Sequence, residues 1–226
     1  MFTHIDPAPI WLSVKLASIT TMILLLIAVP LSWWLCHTHH RIRSVVSALV
    51  TLPLILPPTV LGFYMLLMLG QNGPIGQLTD TLGIGPLAFS FPGLVIASVI
   101  YSLPFAVQPV QSAFETIGRQ PLEAATTLGA SPVDRFFTVA LPLAKPGILT
   151  AAVLSFAHTI GEFGVILMIG GSIPGETKVI SIAIYEHVEA LEYEQAYILS
   201  GGMVLFSFIT LLLLYSVKRT RNTDHY

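Results

Sequence analysis

Charge is scarce in this sequence. Only 10% of its 226 residues are charged, against about 25% in soluble domains. That excludes an ordinary water-facing surface. With 54% hydrophobic residues and a mean hydropathy of +0.80, the composition is that of an integral membrane protein. Cysteine is nearly absent: Cys36 stands alone, so no intrachain disulfide can form and no redox compartment is indicated. The formal net charge of −2 offers no basic footprint for nucleic acid. Residues 1–10 lack the basic start of a secretory signal, so the first apolar run is expected to be retained. No Gly-x4-Gly-Lys-Ser/Thr loop occurs, which excludes a P-loop ATPase. The length suits a single transmembrane domain over 1–226.

Long apolar runs are what the sequence does have. A helix needs about 20 apolar residues to cross the hydrocarbon core. Runs 17–36, 45–70, 87–114 and 195–217 meet that without a charge, and 146–169 is interrupted only by Glu162. Extended to their natural ends, five spans are expected at about 11–36, 45–70, 87–114, 146–169 and 194–217, with a polar loop over 115–145. The apolar patch 179–185 is too short to cross and is expected as an interfacial or re-entrant helix.

Positive charge sets the orientation. Five spans put the two ends of the chain on opposite sides. Eight of the ten lysines and arginines fall on one of them: Arg41, Arg43, Arg119, Arg135, Lys145, Lys218, Arg219 and Arg221. The other side keeps only Lys15 and Lys178, with most of the acidic residues. The N-terminus is therefore expected outside and the C-terminus in the cytoplasm.

Proline recurs in the spans. A single one is ordinary in a membrane helix, where neighbours re-satisfy the freed carbonyl. Pro53, Pro57 and Pro58 within six residues are different and should break the second span. A broken helix suits a protein that lines a path or moves.

The 22 residues 121–142 read as two short soluble helices. Pro121 and Glu123 fit the first turn of one, where a missing N–H costs nothing and a carboxylate meets the positive helix end. Gly129 fits the left-handed position that ends it. Ser131 is placed to cap the next, with Pro132 at its first position, and Pro142 is expected to mark the return to the membrane. Ala124, Ala125 and Gly129 leave a surface that a protein could approach closely; lying on lipid headgroups is the other reading.

The spacing of these residues resembles a known family. Glu123-Ala124-Ala125, Gly129 three residues on, then Val139, Leu141 and Pro142 is similar to the signature loop of permease subunits of bacterial ABC importers, with Val139 in place of the usual Ile. The resemblance implies an all-α, polytopic type I importer fold with about five transmembrane helices. It also implies that Glu123, Ala124, Ala125, Gly129, Ser131, Leu141 and Pro142 form a coupling helix seated in a cytoplasmic ATPase subunit. On that reading the chain would bind no cofactor, and ATP and Mg would be used by the partner.

A second stretch narrows the family. Gly161-Glu162-Phe163-Gly164, then Pro174-Gly175-Glu176-Thr177, together with the run ending at Pro57-Pro58, resemble the molybdate branch of the oxyanion importers; sulfate and tungstate permeases are close relatives. These residues are the candidates for the translocation path or gate. The resemblance implies a homodimer, two ABC ATPase subunits, an extracytoplasmic molybdate-binding protein and the bacterial or archaeal inner membrane. An ion-coupled secondary transporter is the rival class, with Glu162 and His158 as its natural proton carriers.

The residues comment on these candidates independently. A charge buried in a membrane is costly and usually functional or paired. An ionised Glu162 on the path of a dianion would repel it, so a structural role at a helix break flanked by Gly161 and Gly164 is expected. His158, four residues earlier, could share a hydrogen bond with it. Cys36, His37, His39 and His40 lack the fixed geometry and outer shell a metal needs, and no metal site is expected. The acidic residues 186–194 could meet a basic partner or simply be solvated.

Overall fold

Proline decides where the second apolar stretch turns. A residue before proline is driven into extended backbone, and this happens twice in succession. Leu56 precedes Pro57 at φ −71° and ψ 135°, and Pro57 precedes Pro58 at φ −55° and ψ 136°. Helix α2 (Ile42–Ile55) therefore stops, and α3 (Pro58–Leu69) restarts with proline at its first position, where no N–H is missed. The chain bends by 113° between Ile42–Ile55 and Pro58–Thr81, so 45–70 is a broken or re-entrant element, not a straight span.

The computed structural model describes residues 6–38 and 40–222, and among them there is no strand. Helix α1 covers Ala8–His37. After α2, α3 and the short α4 (Pro74–Thr81) comes α5, Phe91–Ile117, which starts four residues later than the apolar run because Ser90 caps it, accepting from the Gly93 N–H at 3.3 Å. Helix α6 is Gln120–Thr127, and α7 (Pro132–Asp134) continues through a π-helical turn, Arg135–Ala140, into α8, Leu141–Gly161. Helices α9 (Gly164–Gly170), α10 (Ile180–Glu189) and α11 (Tyr193–Asn222) complete the chain.

The stretch 146–169 is not one helix. The rod that contains its first part begins at Pro132 and ends at Gly161, and α9 is separate. Nor does Pro142 start a new helix. It cannot donate to the carbonyl four residues back, and its ring would press on that carbonyl. A wider π turn precedes it, in which the Leu141 N–H bonds the Phe136 carbonyl, and the rod passes through unbroken.

Helices α1, α5 and α8 form the centre. Ser32 Oγ donates to the Val107 carbonyl at 3.0 Å and, one turn on, Cys36 Sγ donates to the Gln111 carbonyl at 3.6 Å. Rising together, these pairs make α1 and α5 parallel. Helix α8 runs back: Ser102 meets Thr159 at 3.2 Å, while Ala113 lies against Gly147, where a β-carbon would come within 2.3 Å of it. Small residues permit such contact and dispersion replaces the hydrophobic effect as the driving force. Helix α11 turns again, packing Leu199 near Ile160 and Phe206 near Phe156.

This topology gathers the end of α1, the α5–α7 loop and the end of α11 at one end of the bundle. Arg43 and Glu115, 3.6 Å apart, join two of those segments directly. The basic segments grouped by sequence therefore lie together. The exposed apolar side chains, among them Leu26 on α1 and Val204 and Phe208 on α11, are the surface such a bundle offers to lipid.

Candidate functional site

Two groups of residues stand out, one at the loop end and one inside the bundle. The loop is built by local capping. Glu123 occupies the first turn of α6, Gly129 follows at φ 86°, and the Ala130 N–H closes back onto the Ala125 carbonyl at 3.0 Å. Ser131 Oγ accepts from the Asp134 N–H at 3.2 Å while Asp134 Oδ2 accepts from the Ser131 N–H at 3.2 Å, a reciprocal capping box. Arg135 donates from an Nη to Thr126 Oγ1 at 2.8 Å and so links the two helices of the hairpin.

No residue of α6 is buried. Glu123, Ala124, Gly129, Ser131 and Pro142 are exposed, and Ala125 and Leu141 are half-buried. One feature escaped the reading of the sequence. Leu128 is 88% exposed, with Val133 and Phe137 also open to the outside. An apolar group this prominent on a polar hairpin marks a contact surface. Its signal was present in the sequence as an apolar residue just before the helix-ending glycine, which nothing in its own helix can cover.

The second group is where two helix breaks meet. Pro57 and Pro58 mark one break, Glu162 and Phe163 the other. Gly164 packs on Pro58, and Gly62 packs on Met168 so closely that a β-carbon would fall 2.7 Å from that side chain. The broken elements α3 and α9 thus run against each other. Irregular backbone at membrane depth is tolerated where it is enclosed by protein or lines a cavity.

Glu162 is buried, and neither carboxylate oxygen finds a hydrogen-bond partner. Its backbone carbonyl accepts from Ser181 Oγ at 2.6 Å, and Phe163 stacks near Tyr185 with ring centroids 5.0 Å apart. The break is held by α10. Ser98 stands beside this carboxylate, and the bundle holds further buried hydroxyls without partners, those of Thr20, Thr21 and Ser155. His158 does not bond Glu162. Its Nδ1 is 2.9 Å from Ser102 Oγ and its ring stacks on Phe105 at 3.9 Å. The i,i+4 spacing puts both on one helix, but the helix stops at Gly161 and turns the carboxylate elsewhere.

The stretch 174–177 belongs to the loop between α9 and α10. Thr177 is fully buried, donating to the Gly170 carbonyl at 2.7 Å and accepting from the Ile173 N–H at 3.0 Å. Pro174, Gly175 and Glu176 are exposed, with Gly175 at φ 79°. Thr177 is therefore a clasp. Lys178 pairs with Glu186, which also accepts from Ser172 Oγ. Burial alone would raise the Glu186 carboxyl, but those hydrogen bonds and the Lys178 charge outweigh it and hold the group below its ordinary range. Glu189 bonds Tyr185 and Glu192 bonds His187, so much of the acidic segment is paired within the chain.

Cys36 and His37 are spent on the backbone, Sγ on Gln111 and Nδ1 on the Trp33 carbonyl at 2.9 Å, while His39 lies outside the described residues. Among the described residues no three His, Cys, Asp or Glu side chains gather as metal ligands.

A helical bundle with two broken membrane elements and an exposed helical hairpin at one end is the build of a transporter's membrane subunit. Residues 19–221 match the family described as the binding-protein-dependent transport system inner membrane component, and the chain belongs to that family. This is the family expected from the spacing of 123–142. The chain is 60% identical over 214 residues to the molybdenum transport system permease protein ModB of Azotobacter vinelandii, covering 95% of each. It is 35% identical to the Haemophilus influenzae protein of the same description, over 89% of each.

Solved structures agree on the fold. A chain of a bacterial alginate ABC transporter, in complex with its pentasaccharide-bound periplasmic protein, matches with a TM-score of 0.75 at 17% identity, over 94% of this chain and 78% of that one. A chain of the inward-facing MetNI methionine ABC transporter matches at 0.67 and 18%, over 92% and 94%.

Proposed function

We propose that the chain is the permease subunit of an ATP-driven importer and carries molybdate that an extracytoplasmic binding protein delivers. One observation carries this reading: the 60% identity over 95% of both chains to a molybdenum transport permease. The chain has no P-loop of its own, so ATP and Mg belong to a partner.

On this reading the arginine-rich end faces the cytoplasm, following the positive-inside rule, with the N-terminus outside and the C-terminus inside. The α6–α7 hairpin seats in an ABC ATPase subunit. Leu128 is its apolar anchor, and Glu123, Ala124, Ala125 and Gly129 form the surrounding small and polar surface. Arg135 bonded to Thr126 and the Ser131–Asp134 box make the hairpin stiff, and the unbroken rod through α8 carries its displacement into the membrane. That rod ends at Gly161, where the breaks at 57–58 and 162–164 meet. A push on α8 therefore acts directly on the junction of two broken helices. Two copies, each with such a junction, would enclose the path, since one chain has no internal repeat to supply a second half.

Cargo selection is assigned to the binding protein. Among the described residues no ion pair reaches Glu162, and a dianion passes Ser and Thr hydroxyls and backbone dipoles. The Glu162 carboxylate lies beside Ser98 and has no ion pair among the described residues, which favours a hinge role over a ligand role.

The test is uptake of labelled molybdate by cells expressing the full transporter, with tungstate and sulfate as competitors. Molybdate uptake that requires both this chain and the ATPase supports the reading. Uptake of sulfate in preference to molybdate, or transport that persists without the ATPase, overturns it.

A further inference from the structure

At the hairpin end lies a cavity of about 820 Å³, walled by the last turn of α1, the end of α5 and the α6–α7 hairpin. The transport reading uses part of its hairpin wall, Glu123 and Arg135, but gives the space itself no ligand. Its inner wall is aromatic: Trp33 meets Phe114 edge-on at 5.2 Å and Phe136 at 5.1 Å. Its rim is cationic, with Arg43, Arg119 and Arg135 brought from three separate segments.

We infer that this cavity binds the phosphodiester headgroup of an anionic phospholipid, with the upper part of the lipid against the aromatic wall. Three features of the site favour it. The first is charge: three arginines face two glutamates, Glu115 and Glu123, leaving one net positive charge for a singly charged phosphodiester. Glu115 is already engaged by Arg43 and by Gln111 at 2.9 Å.

The second is an unmet donor. Arg135 spends an Nη on Thr126, but its Nε is shielded from solvent and has no partner. A buried N–H left unpaired is costly, and guanidinium is the group best matched to phosphate oxygens. The third is size and place. The volume is in the range of pockets that enclose a whole organic ligand, far more than a free phosphate fills. It opens where the apolar part of α1 and α5 ends, with a tryptophan at the level such residues take in membranes. Basic pockets between membrane helices on such faces receive anionic headgroups.

A lipid held there touches α1, α5 and the hairpin at once, and so steadies the hairpin against the spans.

The experiment uses the purified complex of permease and ATPase. It is delipidated, given phosphatidylglycerol, phosphatidylcholine or inorganic phosphate, and weighed by native mass spectrometry. Retained phosphatidylglycerol is expected, reduced about fivefold by each of Arg43→Gln and Arg119→Gln, and unchanged by Arg41→Gln, which lies off the cavity. Maleimide labelling of Cys36, which lines the same cavity, gives a second readout in the folded complex. Phosphatidylglycerol vesicles should slow it in the wild type, and phosphatidylcholine vesicles should not. Retention unchanged by both Arg43→Gln and Arg119→Gln overturns the inference. So does protection of Cys36 by inorganic phosphate alone. None of these outcomes depends on molybdate uptake.

Discussion

Gly164 stands so close to Pro58 that a β-carbon on it would lie 2.7 Å from the proline's own Cβ. Two helix breaks, more than a hundred residues apart in the chain, are pressed together with no side chain between them. Gly161, three residues earlier, has nothing within 4 Å of the same position. Gly164→Ala should therefore cost about 1–3 kcal/mol of stability through overpacking and lower uptake, while Gly161→Ala should leave both near wild type. Thermal melting of the purified complex and molybdate uptake measure the contrast. Equal tolerance of the two changes would remove the junction as a tight contact.

Glu162 has no ion pair among the described residues, and no hydrogen bond of ordinary geometry reaches its carboxylate oxygens, although Ser98 stands beside them. Its negative charge is thus unrewarded, and Glu162→Gln, which keeps the shape, should transport at close to the wild-type rate. Glu162→Lys should abolish folding or transport, because it buries a long cation with no partner. A Gln variant that folds and does not transport would restore a charge-dependent gate.

The hairpin offers a way to separate docking from folding. Leu128 is almost fully exposed, so Leu128→Ser should leave the melting temperature unchanged and weaken ATPase retention by more than about 1 kcal/mol if it is an interface anchor. Ser131→Ala removes the cap and should cost about 0.5–2 kcal/mol of local stability. Gly129→Asp should lose the ATPase through a side chain in the docking surface. Copurification of the two subunits reads all three, and retention indifferent to Leu128 and Gly129 would move the docking site elsewhere.

His158 bonds Ser102 and stacks on Phe105, and it makes no bond to Glu162. His158→Gln should keep uptake driven by ATP and insensitive to a protonophore. Uptake that collapses with the proton gradient, and is lost with His158, would favour an ion-coupled transporter.

Glu186 is held below its ordinary carboxylate range by hydrogen bonds from Lys178 and Ser172 that outweigh its burial. A depressed pKa stabilises the fold above the unfolded value and loses that contribution as pH falls through the folded one. The loop before α10 should therefore be firm at neutral pH and loosen only in acid below the usual carboxylate range. Lys178→Met should shift that loosening to higher pH. Hydrogen exchange of amides 172–178 follows it, and no change between the two proteins would exclude the pair as the latch.

Much of the local structure could be read in advance. The break at 56–58 follows from two successive residues before proline, and the hairpin from Gly129, Ser131 and Pro132, because these effects act within a turn of chain. What Pro142 does to the helix was not legible, for a related reason. A proline that ends a helix and one that a π turn carries through look alike in sequence, and the difference lies in how Phe136 and Leu141 share hydrogen bonds. In 146–169 a break at Glu162 is expected from the flanking Gly161 and Gly164, but apolar runs report depth in the membrane and are blind to a helix that starts in the polar loop at Pro132.

The residues by themselves determined that the chain is a membrane bundle, that its basic segments share a side, that its second apolar element breaks, and that one helix ends at Gly129 and another starts at the Ser131 cap. Each is a matter of transfer free energy or of backbone geometry over a few residues. Only the tertiary structure decided that the two breaks meet at Gly164 and Pro58, that His158 turns to Ser102 and away from Glu162, and that three arginines line one cavity with Trp33. Those outcomes depend on which helices pack side by side. In an all-apolar bundle that choice is made by close contact of small residues such as Ala113 and Gly147, which carry almost no signature in the pattern of the chain.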